Sequence, residues 1–246
     1  MKKILLLTGA VFLGLCSAAN AAVDCSTPPS CDALGYSESE DACSGQRMLR
    51  CPFDTTKVFC PEPLKQTTCL VGSILYDDKK CYDGTPSGKT PLGIVFDSYK
   101  RRAVSLTAPV PSLPWGGYGT DISNLTNCIA ENYRTCDIDG QVNTQIINAK
   151  IYGSAHAAGF CAKEGGFLPS MYELKMLYSN KTYVNNPIQT LPNPDTILIG
   201  NTNYLWSSNE IGDISAHTMN LSDGSFYFNY KDKTYSFVLT RCVYAY

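Results

Sequence analysis

The chain has 246 residues, 44% hydrophobic and only 17% charged, with 12 cysteines, 16 tyrosines and two histidines. Without Lys2 and Lys3, 18 basic residues face 22 acidic ones, a net charge near −4, and no basic run exceeds Lys100-Arg101-Arg102. Sequence-independent nucleic-acid binding needs a basic stripe to displace counterions, so that class is excluded.

Residues 1–21 read as a secretory signal peptide. Lys2 and Lys3 form the basic end, an apolar run follows, and Ala19-Asn20-Ala21 supplies the small-x-small cleavage site. The expected protein is exported, to the periplasm, the cell surface or the medium. No segment is long and apolar enough to predict a membrane span.

Residues 22–88 form a cysteine-rich segment with Cys25, Cys31, Cys43, Cys51, Cys60, Cys69 and Cys81, set among turn-forming stretches such as "STPPS" and "CPEP". So short a segment buries little core and is expected to rely on disulfides. No C-x-x-C pair occurs, which leaves zinc ribbons and thioredoxin-like chemistry without their local geometry. With Cys16 in the leader, 11 cysteines remain. An odd number leaves one thiol free or paired between chains, so a disulfide-linked dimer is a second expectation.

The longer part, residues 89–246, opens with "PLGIVFD" and "RRAVSLT", two apolar strands joined by a short turn. From Asn143 the period changes, and Ile147, Ile151, Ala155 and Ala158 mark one helix that stops at Glu164-Gly165-Gly166. A second helix opens at Ser170, which with Glu173 makes a capping box, and it buries Leu174 and Leu177. An Asn- and Pro-rich loop is expected over 185–203. Short strands follow around "YLWSS", "AHTMNL", "SFYFNY" and "SFVLTRCVYA", with "SDGS" as a hairpin turn.

In order, "DGQVNTQII", "GGFLPSMYELKMLY", "YLWSSNE", "MNLSDGS" and "LTRCVYAY" resemble a bacterial domain family with a C-type-lectin-like fold, similar to the C-terminal domain of collagen-like adhesins. The resemblance covers about residues 89–246. It implies an α+β, C-type-lectin-like domain of two helices packed on short antiparallel strands with long loops, following a small disulfide-rich segment. It also implies that Cys161, late in the first helix, bonds Cys242 on the last strand, leaving Cys128 and Cys136 to pair locally. Some relatives of this fold are diversified near the C-terminus at Asn, Tyr and Ser codons.

The sites follow from these elements. Trp206 reads as a core residue before it reads as a pocket. Ser207, Ser208, Asn209 and Glu210 are expected to leave the strand on the ligand-loop face. Asn193-Pro194-Asp195 offers oxygens for calcium, the one cofactor considered, although a proline-stiffened turn explains it as well. Alternation in "SFYFNYKDK" puts Phe226, Phe228 and Tyr230 on one face and Tyr227 and Asn229 on the other. The plain reading is one buried and one wet face. The functional reading is a recognition patch of Tyr227, Asn229, Tyr230, Lys231 and Asp232, because Tyr and Asn give contact area and adaptable hydrogen bonds.

No catalytic residues are expected. His156 and His217 lack a Ser or Cys motif that would make either a general base, and no phosphate loop or HExxH occurs. Formylglycine-generating enzymes share the implied fold class, but their arginine-rich closing motifs are absent. The expectation is an adhesin-like binding protein for a glycan or extracellular protein, with a structural envelope protein as the rival.

Overall fold

A computed structural model describes residues 66–108, 112–188, 190–191, 204–232, 234 and 237–246, together with the backbone of 49–50 and 58–59. The chain divides into a unit Met1–Pro63 and a unit Leu64–Tyr246. In the first, β1 (Leu49–Arg50) pairs antiparallel with β2 (Val58–Phe59). Its six cysteines, Cys16 in the leader included, lie outside the described residues.

The second unit begins before residue 89, where the sequence places the domain boundary. Its strands β3 (Gln66–Thr67), β4 (Ile74–Tyr76) and β5 (Cys81–Tyr82) precede β6 (Pro91–Asp97) and β7 (Arg102–Ser105). Leu75 and Tyr76 are buried, β4 pairs antiparallel with β6, and a Cys69–Cys81 bond ties the flanking segments. Apolar burial against β6 therefore overrides the disulfide-rich look of residues 69–81.

The single helix expected from Asn143 onward is two. Helix α1 (Gly140–Lys150) starts at Asp139, whose carboxylate accepts from the N–H groups of Gln141 and Val142. Helix α2 (Ala157–Lys163) starts at His156. Between them Gly153 sits at φ 90°, a conformation foreign to a helix, and Ala155 is exposed although it fits the periodic stripe. Helix α3 (Met171–Ser179) has the Ser170–Glu173 capping box and buries Leu174 and Leu177. Helix α4 (Lys181–Ile188) follows where a loop was expected to begin; Val184 and Ile188, four residues apart, bury its inner side.

The remaining strands are β8 (Tyr204–Glu210), β9 (Ser215–Asn220), β10 (Phe226–Tyr230), β11 (Val238–Leu239) and β12 (Val243–Ala245). Two four-stranded sheets result, ordered β12-β7-β6-β4 and β10-β9-β8-β11. The expected final strand is thus split. Thr240-Arg241-Cys242 carries the chain from β11, parallel to β8, into β12, antiparallel to β7.

Strand β8 is buried on both faces. Leu205 joins a core of Ile94, Val104, Leu174, Leu177, Met219 and Val243, while Trp206 joins Trp115, Ile147, Ala158, Leu168 and Val238. That explains the continuous apolar start of β8, since a strand covered on both sides has no wet face to mark with polar residues. Cys161 bonds Cys242 with 5.2 Å between Cα atoms, and Cys128 bonds Cys136. Closing a loop of 81 residues stabilises by about 4 kcal/mol on the chain-entropy account. The architecture is mixed α+β, pinned by three disulfides among the described residues.

Candidate functional site

The polar end of β8 does not emerge into a loop. Ser207, Ser208, Asn209 and Glu210 are all inaccessible to solvent, which corrects the expectation that Asn209 and Glu210 face a ligand. Each side chain has an internal partner instead. Asn209 Oδ1 accepts the Met171 N–H at 2.7 Å, and its Nδ2 donates to the Cys136 and Asp137 carbonyls at 3.2 and 3.1 Å. It joins the start of α3 to the Cys128–Cys136 loop.

Glu210 holds a second loop. Its Oε1 accepts the Ile122 N–H at 2.9 Å and its Oε2 accepts from Lys231 Nζ at 2.5 Å. The ammonium also donates to the Thr120 carbonyl at 3.0 Å and lies 4.7 Å from the centre of the Trp115 ring. Lys231 is fully buried, so it leaves the expected surface patch. Burial pushes the Glu210 carboxyl above its ordinary value, against the pull of the Lys231 ammonium. Trp115 donates its indole N–H to the Ser207 carbonyl at 2.8 Å, and Trp206 donates to Leu113 at 3.1 Å. Both tryptophans are core residues whose polar groups are satisfied.

The two histidines serve the backbone. His156 Nδ1 accepts the Gly159 N–H at 3.2 Å, capping α2, and its Nε2 lies 3.2 Å from the Ile151 carbonyl. These partners assign the neutral form protonated at Nε2. His217 Nε2 donates to the Cys128 carbonyl at 2.9 Å. Among the described residues neither imidazole hydrogen-bonds a hydroxyl or thiol, the pairing that activates a nucleophile. Cys128, Cys136 and Asp137 place ligand atoms within 4.8 Å of one another, but the two sulfurs are bonded together and are not thiolates. Asn193 and Asp195 lie outside the described residues.

The exposed candidates gather on β10. Tyr227 and Tyr230 are each 48% exposed, Phe228 is 66% exposed, and Asp232 is exposed. Asn229 is half-buried and donates to Thr218 Oγ1 at 2.9 Å. Contrary to the alternation expected, neither face of β10 is fully covered, because β10 is the last strand of its sheet.

Aromatic neighbours brace it on both sides. Tyr204 and Phe237 stand edge-on beside Tyr227 and Tyr204 respectively, Tyr118 meets Tyr230 at 6.5 Å, and Tyr133 tilts on Phe226 at 5.6 Å. Phe228 and Tyr118 are the residues that sequence reasoning missed. Alternation put Phe228 on one face with Phe226 and Tyr230 without saying which face is wet, and Tyr118 sits over a hundred residues upstream in a glycine-rich loop. That loop is held beside the β8–β9 turn by Gly119 N–H donating to Asp213 at 2.9 Å.

The chain matches no family model, and no curated protein and no solved structure is similar to it at a significant level. No helix among the described residues is long and apolar enough to cross a membrane.

Proposed function

We propose that this chain is an exported, adhesin-like binding protein that recognises a glycan or an extracellular protein through the aromatic strand β10. One observation carries the reading: Tyr227, Phe228 and Tyr230 stand exposed on a strand whose neighbours are fixed by a buried core. Large rings held rigidly lose little entropy on binding and offer apolar faces to sugar rings or to a protein partner. The polar residues best suited to chemistry are turned inward instead. The two histidines, Glu210 and Lys231 are all buried and occupied with internal partners, which favours binding over catalysis.

The domain itself reads as C-type-lectin-like. In support, β12 at the C-terminus lies against β7 near the start of the unit, and a helix-to-last-strand disulfide joins Cys161 to Cys242. Helices α1 to α4 all fall between β7 and β8 in sequence order. The reading predicts specific retention of the folded protein on an array of immobilised oligosaccharides and extracellular-matrix proteins. Retention on nothing above background would overturn it.

A further inference from the structure

We infer that a second copy of this chain pairs with the free edge of β10, antiparallel and centred on Phe228, to form a two-fold dimer with a continuous sheet. The inference stands on the backbone edge of β10 and does not depend on the ligand proposed above. In an antiparallel ladder, alternate residues direct both backbone polar groups at the same neighbour. Lys231 N–H donates to Ile214 and Asn220 N–H to the Ser225 carbonyl, each at 2.9 Å. With the register Tyr227↔Thr218 and Asn229↔Ala216, the odd-numbered residues therefore face β9. Phe226, Phe228 and Tyr230 direct their N–H and C=O groups away from the sheet, where they have no partner among the described residues. Unpaired edges of this kind template the addition of another strand.

Soluble proteins usually blunt such an edge with a lysine, a proline, a bulge or an inward charge. Here Phe226–Tyr230 has none of these: its sequence is Phe-Tyr-Phe-Asn-Tyr and its pairing with β9 is unbroken.

The strand is also complementary to itself. Centring two copies on Phe228 sets each outward-facing residue against another, Phe228 on Phe228 and Phe226 on Tyr230, so each such pair can exchange two hydrogen bonds. The rings then form cross-strand aromatic pairs on one face, and Tyr227 meets Asn229 on the other. No charge meets a like charge anywhere along the five residues, and a two-fold axis lets one patch satisfy both partners. A heterologous extended peptide would use the same hydrogen bonds, but the symmetric match of rings to rings singles out the second copy.

Sedimentation equilibrium on the intact chain, with covalent dimers separated on a non-reducing gel, tests this. The expected result is a reversible dimer across micromolar concentrations. Phe228→Lys and Phe228→Glu should each weaken it at least about tenfold by setting like charges opposite one another at the axis. At concentrations low enough to keep the wild type monomeric their melting temperatures should match it, since Phe228 is largely exposed. An equimolar mixture of the two variants should dimerise again, because residue 228 then meets an opposite charge. A wild type that stays monomeric, a dimer indifferent to both substitutions, or a mixture that fails to re-form would each overturn the proposal.

Discussion

Glu210 and Lys231, on different strands, meet in a hydrogen-bonded ion pair with no solvent access to either side chain. Their bond fixes the end of β8 to the residue after β10 and, through Ile122, Thr120 and Trp115, to a loop from the front of the domain. Strand β10 is thus anchored immediately beside its exposed rings. Replacing one partner strands a charge in the core, at a cost of about 3–5 kcal/mol. Lys231→Met should show that loss in chemical denaturation. Adding Glu210→Gln should recover at least half of it, since the amide oxygen still accepts from Ile122. If the double variant is no more stable than the single one, the pair is not what the site depends on.

A second buried charge has the opposite forecast. Arg241 is 1% exposed; its Nη1 reaches the Leu106 carbonyl at 3.4 Å, while Nε and Nη2 have no partner among the described residues. No carboxylate among the described residues pairs with it, and burial pulls its ordinarily very high pKa down to about 10. Replacing an uncompensated buried cation by a well-packed apolar side chain should stabilise by about 1–4 kcal/mol. Arg241→Met should therefore melt higher than the wild type. A lower melting temperature would show that the guanidinium is paired in solution.

The histidines make the fold acid-sensitive. Burial lowers the pKa of both His156 and His217 below the ordinary value near 6.5. The unfolded chain therefore takes up protons before the folded one as pH falls. Their contribution is complete above about pH 6.5 and is lost progressively below it. For His156 the cause is concrete, because protonating Nδ1 turns the acceptor that caps α2 into a donor. His156→Asn keeps a capping acceptor without titrating. The difference in unfolding free energy between wild type and this variant should shrink steadily from pH 7 to pH 5, and a difference that does not change with pH would count against the assignment.

How much of this was legible in the residues depended on whether the signal was local. Ser170 and Glu173 lie three apart, so the cap of α3 could be read directly, and its buried Leu174 and Leu177 followed. Trp206 was readable as core because an apolar run preceded it. The break between α1 and α2 was hidden, because Ile147, Ile151, Ala155 and Ala158 keep a helical period across residues that the glycine at 153 takes out of the helix. Nothing near Glu210 announces that its partner lies 21 residues away, so its polar stretch looked wet. The exposure of Phe228 depends on strand order, a property of the whole sheet that no window of sequence contains.

Core and surface aromatics should separate cleanly in a thermal melt. Trp206→Ala opens a cavity in a fully buried cluster and should cost about 3–5 kcal/mol. Tyr227→Ala and Tyr230→Ala, at half-exposed positions, should each cost well under that. A Trp206 variant that keeps its melting temperature would mean that the indole is not part of the core.

The most direct test of the recognition surface is the affinity of the Tyr227→Ala/Tyr230→Ala variant for whichever oligosaccharide or matrix protein retains the wild type on the array, measured by titration calorimetry on protein verified to be folded. If these rings are binding hot spots, each truncation costs at least about 1 kcal/mol, so the double variant should bind at least about thirtyfold more weakly with its melting temperature nearly unchanged. Unaltered affinity in the folded variant would contradict the account and move the binding surface off β10.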